Sequence, residues 1–386
     1  MRIYYISNTI HPDDCYLMFK DKLHMLGLQA QKFNYLLMKG FNSNDVDVHA
    51  VSSLPVNREN YDKLFYGGNK SKDQKILFHY LPIINLPGIK NVMQTVGAFW
   101  HVFQAKKEDV VICDVLNAST SLGAVFAAKL KKIKCVGIVT DIPFFMLPGE
   151  MRNVRYEKIV DKVIKNCSHY VFLTEQMNSL LNPNNKSYMV VEGICDQKME
   201  KFKPIICRTE KIKCFYAGQL NARYGLKMLV EGFIKANITD AELHLYGTGP
   251  YVPELESLCE EHKNVVYHGT VFNDVIVRAE LEADLLINPR PTHEEFTKYS
   301  FPSKNLEYMA SGTATLTTRL PGMPEEYLPY VYLIEEESAD GIAKALEYVL
   351  GLSREEREAK GAAAKNFVLE KKSNVAQAAR ILDFLN

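Results

Sequence analysis

Short apolar runs alternate along this chain with longer stretches of helical period, and the whole pattern occurs twice. The first series of runs is Arg2 to Ser7, Val46 to Val51, Ile76 to Tyr80, Val110 to Cys113, Lys134 to Thr140, His169 to Leu173 and Tyr188 to Val191. The second is Lys213 to Ala217, Glu242 to Tyr246, Asn264 to His268, Asp284 to Asn288, Thr313 to Thr317 and Val331 to Ile334. Continuous apolar runs of this length suit strands buried on both faces, as in a parallel sheet covered by helices above and below. Between them, Leu122, Val125, Phe126 and Leu130 fall on one helical face of Ser119 to Lys131. Leu226, Leu229, Val230, Phe233 and Ile234 do the same after Gly225. Thr174 offers a helix cap before Glu175 and Gln176.

The pattern predicts an α/β protein of two doubly wound, Rossmann-like domains. The expected divisions are 1–195, a linker at 196–211 with mixed charge and Pro204, a second domain at 212–365, and a helical end at 366–386. No strand is left for that last helix to cover, so it is available to pack back on the first domain. Ligands of doubly wound sheets bind outside the carboxyl ends of the strands. Two such sheets facing each other would present those ends on opposite walls of one cleft.

Composition narrows the partners. Lys and Arg total 46 and so do Asp and Glu, so the strong positive field that draws proteins onto nucleic acid is missing, and no nucleic-acid partner is expected. The eight cysteines lack zinc or redox spacing, and Cys113, Cys135 and Cys214 lie in apolar runs, which reads as reduced, buried thiols in a cytoplasmic protein. The chain opens on a strand pattern, not on a secretory leader. Its most apolar stretch, Ile76 to Ile89, is broken by His79, Pro82, Asn85 and Pro87, short of the roughly 20 residues that span a bilayer. Peripheral contact with the inner face of a membrane stays open.

The segment from Asn288 to Gly312 carries the chemistry. A strand ends, a polar loop follows, and a helix begins near Ser300 to Ser303, with Pro302 suited to the first turn and Gly312 to the stop. Free amides and the dipole at such a start form an anion site that suits a diphosphate. Ser303 and Glu307 share a helix face, which puts a carboxylate within reach of ribose hydroxyls. A capped surface helix with an unrelated glutamate fits the same residues.

Phe301-Pro302, Glu307 and Gly312 resemble the C-terminal signature of the retaining family 4 glycosyltransferases of the GT-B fold, and Ser300 to Gly312 resembles a variant found in bacterial surface-polysaccharide transferases. Tyr216 to Gly225 is similar to the family's first C-domain turn, Leu245 to Gly249 to its second, and His268 to Val271 to its third. Phe172 to Glu175 and Val191 to Ile194 resemble marks late in the N-domain. The resemblance implies a sugar transfer from a nucleotide diphosphate sugar to a glycan or lipid-linked acceptor, with the nucleotide sugar as co-substrate and no metal or other cofactor. It implies that Glu307 binds the ribose, that the backbone of Tyr299, Ser300, Phe301, Pro302 and Ser303 holds the diphosphate, that Gly218 and Gly249 let the chain approach the donor, and that the base lies near Val271.

The sequence departs from that pattern in three places. The first of two signature glutamates falls on Tyr299. The family's phosphate-binding Arg and Lys fall on Gln219 and Tyr224, leaving Arg223, Lys227 and Lys304 to neutralise the leaving diphosphate, with Arg223 first because a guanidinium grips two oxygens. The opening loop reads Ser7-Asn8-Thr9 in place of a glycine-rich turn, and Asp141 stands where many relatives have a His. Asp141 either orients the acceptor hydroxyl, together with Asn8, or caps a helix. The Asp45-Val46-Asp47 triplet reads as a polar strand start, and Phe99, Trp100, His101 and Phe103 as a helix face packed inward. A nucleotide-sugar binding protein without turnover is the alternative, supported by the absent glutamate.

Overall fold

Each run singled out above forms a strand, with ends moved by no more than a few residues. The computed structural model describes residues 1–19, 28–61, 63–146, 152–205 and 211–386, and the chain forms two units, Met1–Ile194 with Asn374–Asn386, and Cys195–Ser373.

The first unit holds β1 (Arg2–Ser7), β2 (Asp47–Ser52), β3 (Phe65–Tyr66), β4 (Asn69–Asp73), β5 (Ile76–Tyr80), β6 (Ile83–Ile84), β7 (Val110–Asp114), β8 (Lys134–Val139), β9 (His169–Phe172) and β10 (Tyr188–Val190). Eight of them form one sheet in the order β10-β9-β8-β7-β1-β2-β5-β4. All neighbours are parallel except β4, which runs antiparallel to β5 at the edge. The short β3 and β6 pair separately. Neither β3, β4 nor β6 shows in the apolar pattern, because β4 reads Asn-Lys-Ser-Lys-Asp and the other two span two residues each. Every residue of β7 is buried, as the crossover helices on both faces require.

The second unit holds β11 (Ile212–Gln219), β12 (Ala241–Thr248), β13 (Val265–Tyr267), β14 (Leu285–Asn288), β15 (Thr315–Thr318) and β16 (Tyr332–Ile334). They form a fully parallel sheet in the order β13-β12-β11-β14-β15-β16. Cys214, Leu243, Leu285 and Leu316 meet Leu226, Leu229, Val230 and Phe233 of helix Leu226–Ala236 in one core. That helix approaches helix Ala339–Gly351 closely at Gly232, where a Cβ would stand 2.7 Å from Ile342 Cγ2. The chain leaves β11 toward β12 on one side and reaches β14 on the other, so the strand order reverses beside β11. The crevice at its carboxyl end is where such sheets take ligands.

Three expectations change. The division at 365 falls inside helix Arg354–Lys371, and the chain passes between units at Ser373 and Asn374. Helix Asn374–Leu385 then lies in the first unit, with Ala378, Ile381 and Leu385 in the same core as Leu37 and Phe41. Of the expected linker, Gln197–Lys201 is a short helix of the second unit and residues 206–210 lie outside the described residues. The aromatic run packs inward only in part: in helix Ile89–Phe103 the buried positions are Gln94, Ala98 and Val102, Phe99 and His101 are half-buried, and Trp100 and Phe103 are exposed. Close contact with helix Ala118–Lys131 explains this. A Cβ on Gly123 would lie 1.9 Å from the Thr95 carbonyl oxygen, so the facing side of the helix has room only for small or slim side chains, and the large rings turn outward.

Candidate functional site

The crevice beside β11 is built by short-range geometry at three chain turns. β11 ends at Gly218 and Gln219, and Asn221 accepts a hydrogen bond from the Arg223 amide to form a tight turn, Ala222–Tyr224. Gly225 follows with φ 82°, and a Cβ there would sit 2.0 Å from the Pro289 carbonyl oxygen, so the turn docks directly on the residue after β14. Helix Ser303–Ser311 forms the third side. Its Tyr308 hydroxyl accepts from the Ala217 amide at 3.2 Å, and its Asn305 accepts from Asn288 at 2.6 Å and donates to Thr317 at 3.3 Å. These buried bonds fix the helix against the ends of β11, β14 and β15. Gly312, with φ 88°, ends it.

So held, the helix delivers Lys304 and Glu307 into a cavity of about 210 Å³, lined also by Gly218, Gly247, Tyr246, Thr270, Val271 and Glu280. The Lys304 ammonium lies 3.4 Å from the Tyr216 hydroxyl and 4.6 Å over its ring. Gly218, with φ 148°, makes the space: a Cβ there would fall 1.6 Å from Lys304 Nζ. Burial lowers the Lys304 pKa to about 8, with Glu307 and Glu280 pulling it up and Arg290 pushing it down. A desolvated cation beside two carboxylates is poised for an incoming anion, whose charge would offset that desolvation.

Of the expected site residues, Gly218, Val271, Lys304 and Glu307 line this cavity. Gly249 serves packing, since a Cβ there would meet the Leu220 carbonyl oxygen at 2.1 Å. Gln219 closes β11, its carbonyl accepting from Tyr216. Phe301 is buried against Tyr327 at 5.1 Å, the Ser300 hydroxyl donates to the Phe296 carbonyl, and the Tyr299 hydroxyl lies 3.4 Å from Glu295. Pro302 precedes the helix and Ser303 opens it, exposed, with no side-chain cap on its amides. Arg223 stands outside the cavity lining: its Nε bonds Glu294 at 3.1 Å and its guanidinium lies 4.4 Å over Phe296.

Sequence reasoning missed Arg290. Its guanidinium, also outside the cavity lining, lies 4.8 Å over the same ring, Phe296, and 5.2 Å over Tyr224, and its charge depresses Lys304. A cation placed between two prolines directly after a buried strand was the available signal. Glu280, 4% exposed on helix Asn273–Glu282, left no such signal, because the helical pattern around it reads as a solvated face. In the first unit, Asn8 follows β1 and accepts two bonds from the Gln31 amide nitrogen, and Asp141 follows β8, exposed. Between those strands, buried Asp114 ends β7 and accepts from Asn34, Asn117 and the Leu116 amide, with its pKa raised by burial.

Comparison with known proteins bears on this arrangement. Residues 211–351 match the family described as glycosyl transferases group 1. No curated protein sequence matches the chain. Among solved structures, sucrose-phosphate synthase from Thermosynechococcus elongatus matches with a TM-score of 0.65 at 12% identity, over 100% of this chain and 98% of that one. The HepE protein of Anabaena in complex with UDP matches with a TM-score of 0.66 at 11% identity, over 100% and 99%. An α,α-trehalose-phosphate synthase (UDP-forming) from Burkholderia xenovorans in complex with glucose-6-phosphate matches with a TM-score of 0.66 at 12% identity, over 100% of both chains. At such identities the likeness defines the fold, which is GT-B. The matched segment lies in the second unit, and together with that fold it indicates a glycosyltransferase.

Proposed function

We propose that the protein transfers a sugar, with retention, from a nucleoside diphosphate sugar to a glycan or lipid-linked acceptor in surface-polysaccharide synthesis, as a family 4 transferase. The observation that carries the reading is the meeting of Lys304 and Glu307 in one cavity at the strand-order reversal, opposite a glycine whose missing side chain makes the space. Glu307 accepts hydrogen bonds from the ribose hydroxyls, and the base lies against Thr270 and Val271. Lys304, Arg290 and the uncapped amides at Ser303 receive the diphosphate. Arg223, committed to Glu294, acts by fixing the loop that carries Arg290. UDP in HepE and UDP formation by the trehalose-phosphate synthase favour uridine as the base. No step calls on a metal, because amides and cations stabilise the charge that develops on the leaving phosphate. As the anomeric carbon–oxygen bond breaks, its electron pair leaves with the diphosphate, the acceptor oxygen bonds the same sugar face, and its proton passes to the departing phosphate. Asn8 and Asp141 of the first unit are the acceptor-side groups, and the working protein is cytoplasmic.

Thermal unfolding with UDP, GDP and their sugar conjugates tests the donor site, because a ligand bound only by the folded state raises its stability. One diphosphate should raise the midpoint selectively, and Glu307→Ala should abolish the rise. Release or transfer of radiolabelled sugar from that donor then distinguishes a transferase from a protein that only binds, and the absence of any shift with every nucleotide refutes the reading.

A further inference from the structure

Helix Ile89–Phe103 presents an apolar stripe to solvent. Ile89, Val92, Val96, Trp100 and Phe103 are between 42% and 63% exposed, and their spacing places them on one face. Phe99 stacks on Phe103 at 5.5 Å and meets Trp100 edge-on at 5.8 Å, so the aromatic end of the stripe is already ordered. At the other end Leu64 and Phe65, also exposed, continue the surface, because β3 pairs with β6 and the Leu64 carbonyl accepts from the Asn85 amide just before the helix. Soluble proteins seldom leave contiguous apolar faces of this extent without a partner.

Charge says which partner. Overall the chain is neutral, yet no acidic residue occurs between Asp73 and Glu108 or between Asp114 and Asp141. Those two stretches contain helix Ile89–Phe103 and helix Ala118–Lys131, which packs against it. Lys106 and Lys107 follow the stripe directly, and Lys129 and Lys132 stand at the end of helix Ala118–Lys131, all exposed. Lys131 from the same helix donates to the Phe103 and Ala105 carbonyls and lies 5.4 Å over the Phe103 ring, tying the cationic rim to the aromatic end. An aromatic and aliphatic face rimmed by Lys106, Lys107, Lys129 and Lys132, with Glu108 as the exposed carboxylate that follows Lys107, is complementary to a negatively charged bilayer surface, with rings at headgroup level and ammonium groups on the phosphates. A second copy of the chain is the poorer occupant: a two-fold contact places the same patch on both sides, and this patch brings Lys106, Lys107, Lys129 and Lys132 to face their copies with Glu108 as the carboxylate among them.

We propose that this face docks the protein on an anionic lipid bilayer. The inference stands apart from the donor reading, since none of its residues lines the nucleotide cavity. Trp100 is the protein's only tryptophan, so its fluorescence reports the face directly. With vesicles of phosphatidylcholine containing phosphatidylglycerol, the full-length protein should sediment with lipid and its emission should move to shorter wavelength, and added salt should weaken both effects. Val92→Asp with Val96→Asp should reduce the bound fraction by roughly tenfold or more. Lys106→Glu with Lys107→Glu, at exposed positions after the helix, should weaken it as well. Stabilisation by UDP should be the same in both variants and the parent, which separates loss of docking from loss of the donor site. Absence of binding to these vesicles overturns the proposal, as does equal binding to phosphatidylcholine alone. A lipid-free blue shift that grows with protein concentration, accompanied by faster sedimentation, also overturns it, because the face then belongs to a second copy.

Discussion

The protonation of Lys304 sets how nucleotide affinity should change with pH. Its ammonium is held at a pKa of about 8 by burial, well under the value of an exposed lysine. At pH 7 about nine-tenths of the empty protein carries the charge, and at pH 9 about one-tenth does. If the bound diphosphate restores the lysine toward its ordinary pKa, only the protonated form accepts the ligand well. Affinity for UDP should then fall about tenfold between pH 7 and pH 9, about 1.4 kcal/mol. The nucleotide contributes little to this change, since a phosphate's second ionisation lies near about pH 6. Isothermal titration at pH 7, 8 and 9, in buffers of different ionisation enthalpy, measures the fall and the proton taken up on binding at high pH. Lys304→Arg should flatten the profile, because guanidinium does not titrate in this range, while Lys304→Met should bind weakly at every pH. A flat profile for the parent protein, or the same slope in Lys304→Met, would refute the assignment. The sign for the empty protein is opposite: between about 8 and 10.5 the unfolded chain holds the proton more tightly, so stability should rise with pH across that window.

Gly218→Ala should weaken UDP by about tenfold or more through displacement of the Lys304 ammonium, and lower stability by about 1–2 kcal/mol through the positive φ; urea unfolding with and without UDP separates the two, and unchanged affinity would contradict the packing described. Arg290→Ala should reduce UDP affinity more than Arg223→Ala, since only Arg290 acts on Lys304, and the reverse ranking by titration would return the leading role to Arg223. In the first unit His79 lies between His49 at 5.4 Å and His101 at 5.0 Å, and burial lowers its pKa to about 4. Its neutral form is the folded one, so stability is fully present above pH 6.5 and is lost as pH falls toward 4, at up to about 1.4 kcal/mol per pH unit. His79→Leu should flatten the dependence of the urea midpoint on pH over that interval.

The two sheets were legible because their strands are buried on both faces, and burial writes continuous apolar runs. β4 was not, because an edge strand of Asn, Lys, Ser and Asp has no face to bury. In the site, Lys304 and Glu307 could be placed from one helix start, since both positions follow from local periodicity. Tyr246 and Glu280 could not, because they reach the cavity from two other elements, nor could Arg290, which acts on Lys304 from a third, and nothing local marks the meeting. The outward turn of Trp100 depended on a glycine in another helix, Gly123, and a single helix viewed alone offers two apolar faces without saying which is covered.

The passage of residues 374–386 into the first unit has a kinetic consequence. Gly40 lies so close to Asn374 that a Cβ there would be 2.0 Å from its carbonyl oxygen, and the Asn374 side chain donates to the Leu36 carbonyl. The groove over Leu37 and Phe41 therefore stays open on the nascent chain until every residue of the second unit has been translated. The unit made first is completed last, and during that interval its uncovered groove is where a chaperone would be needed most.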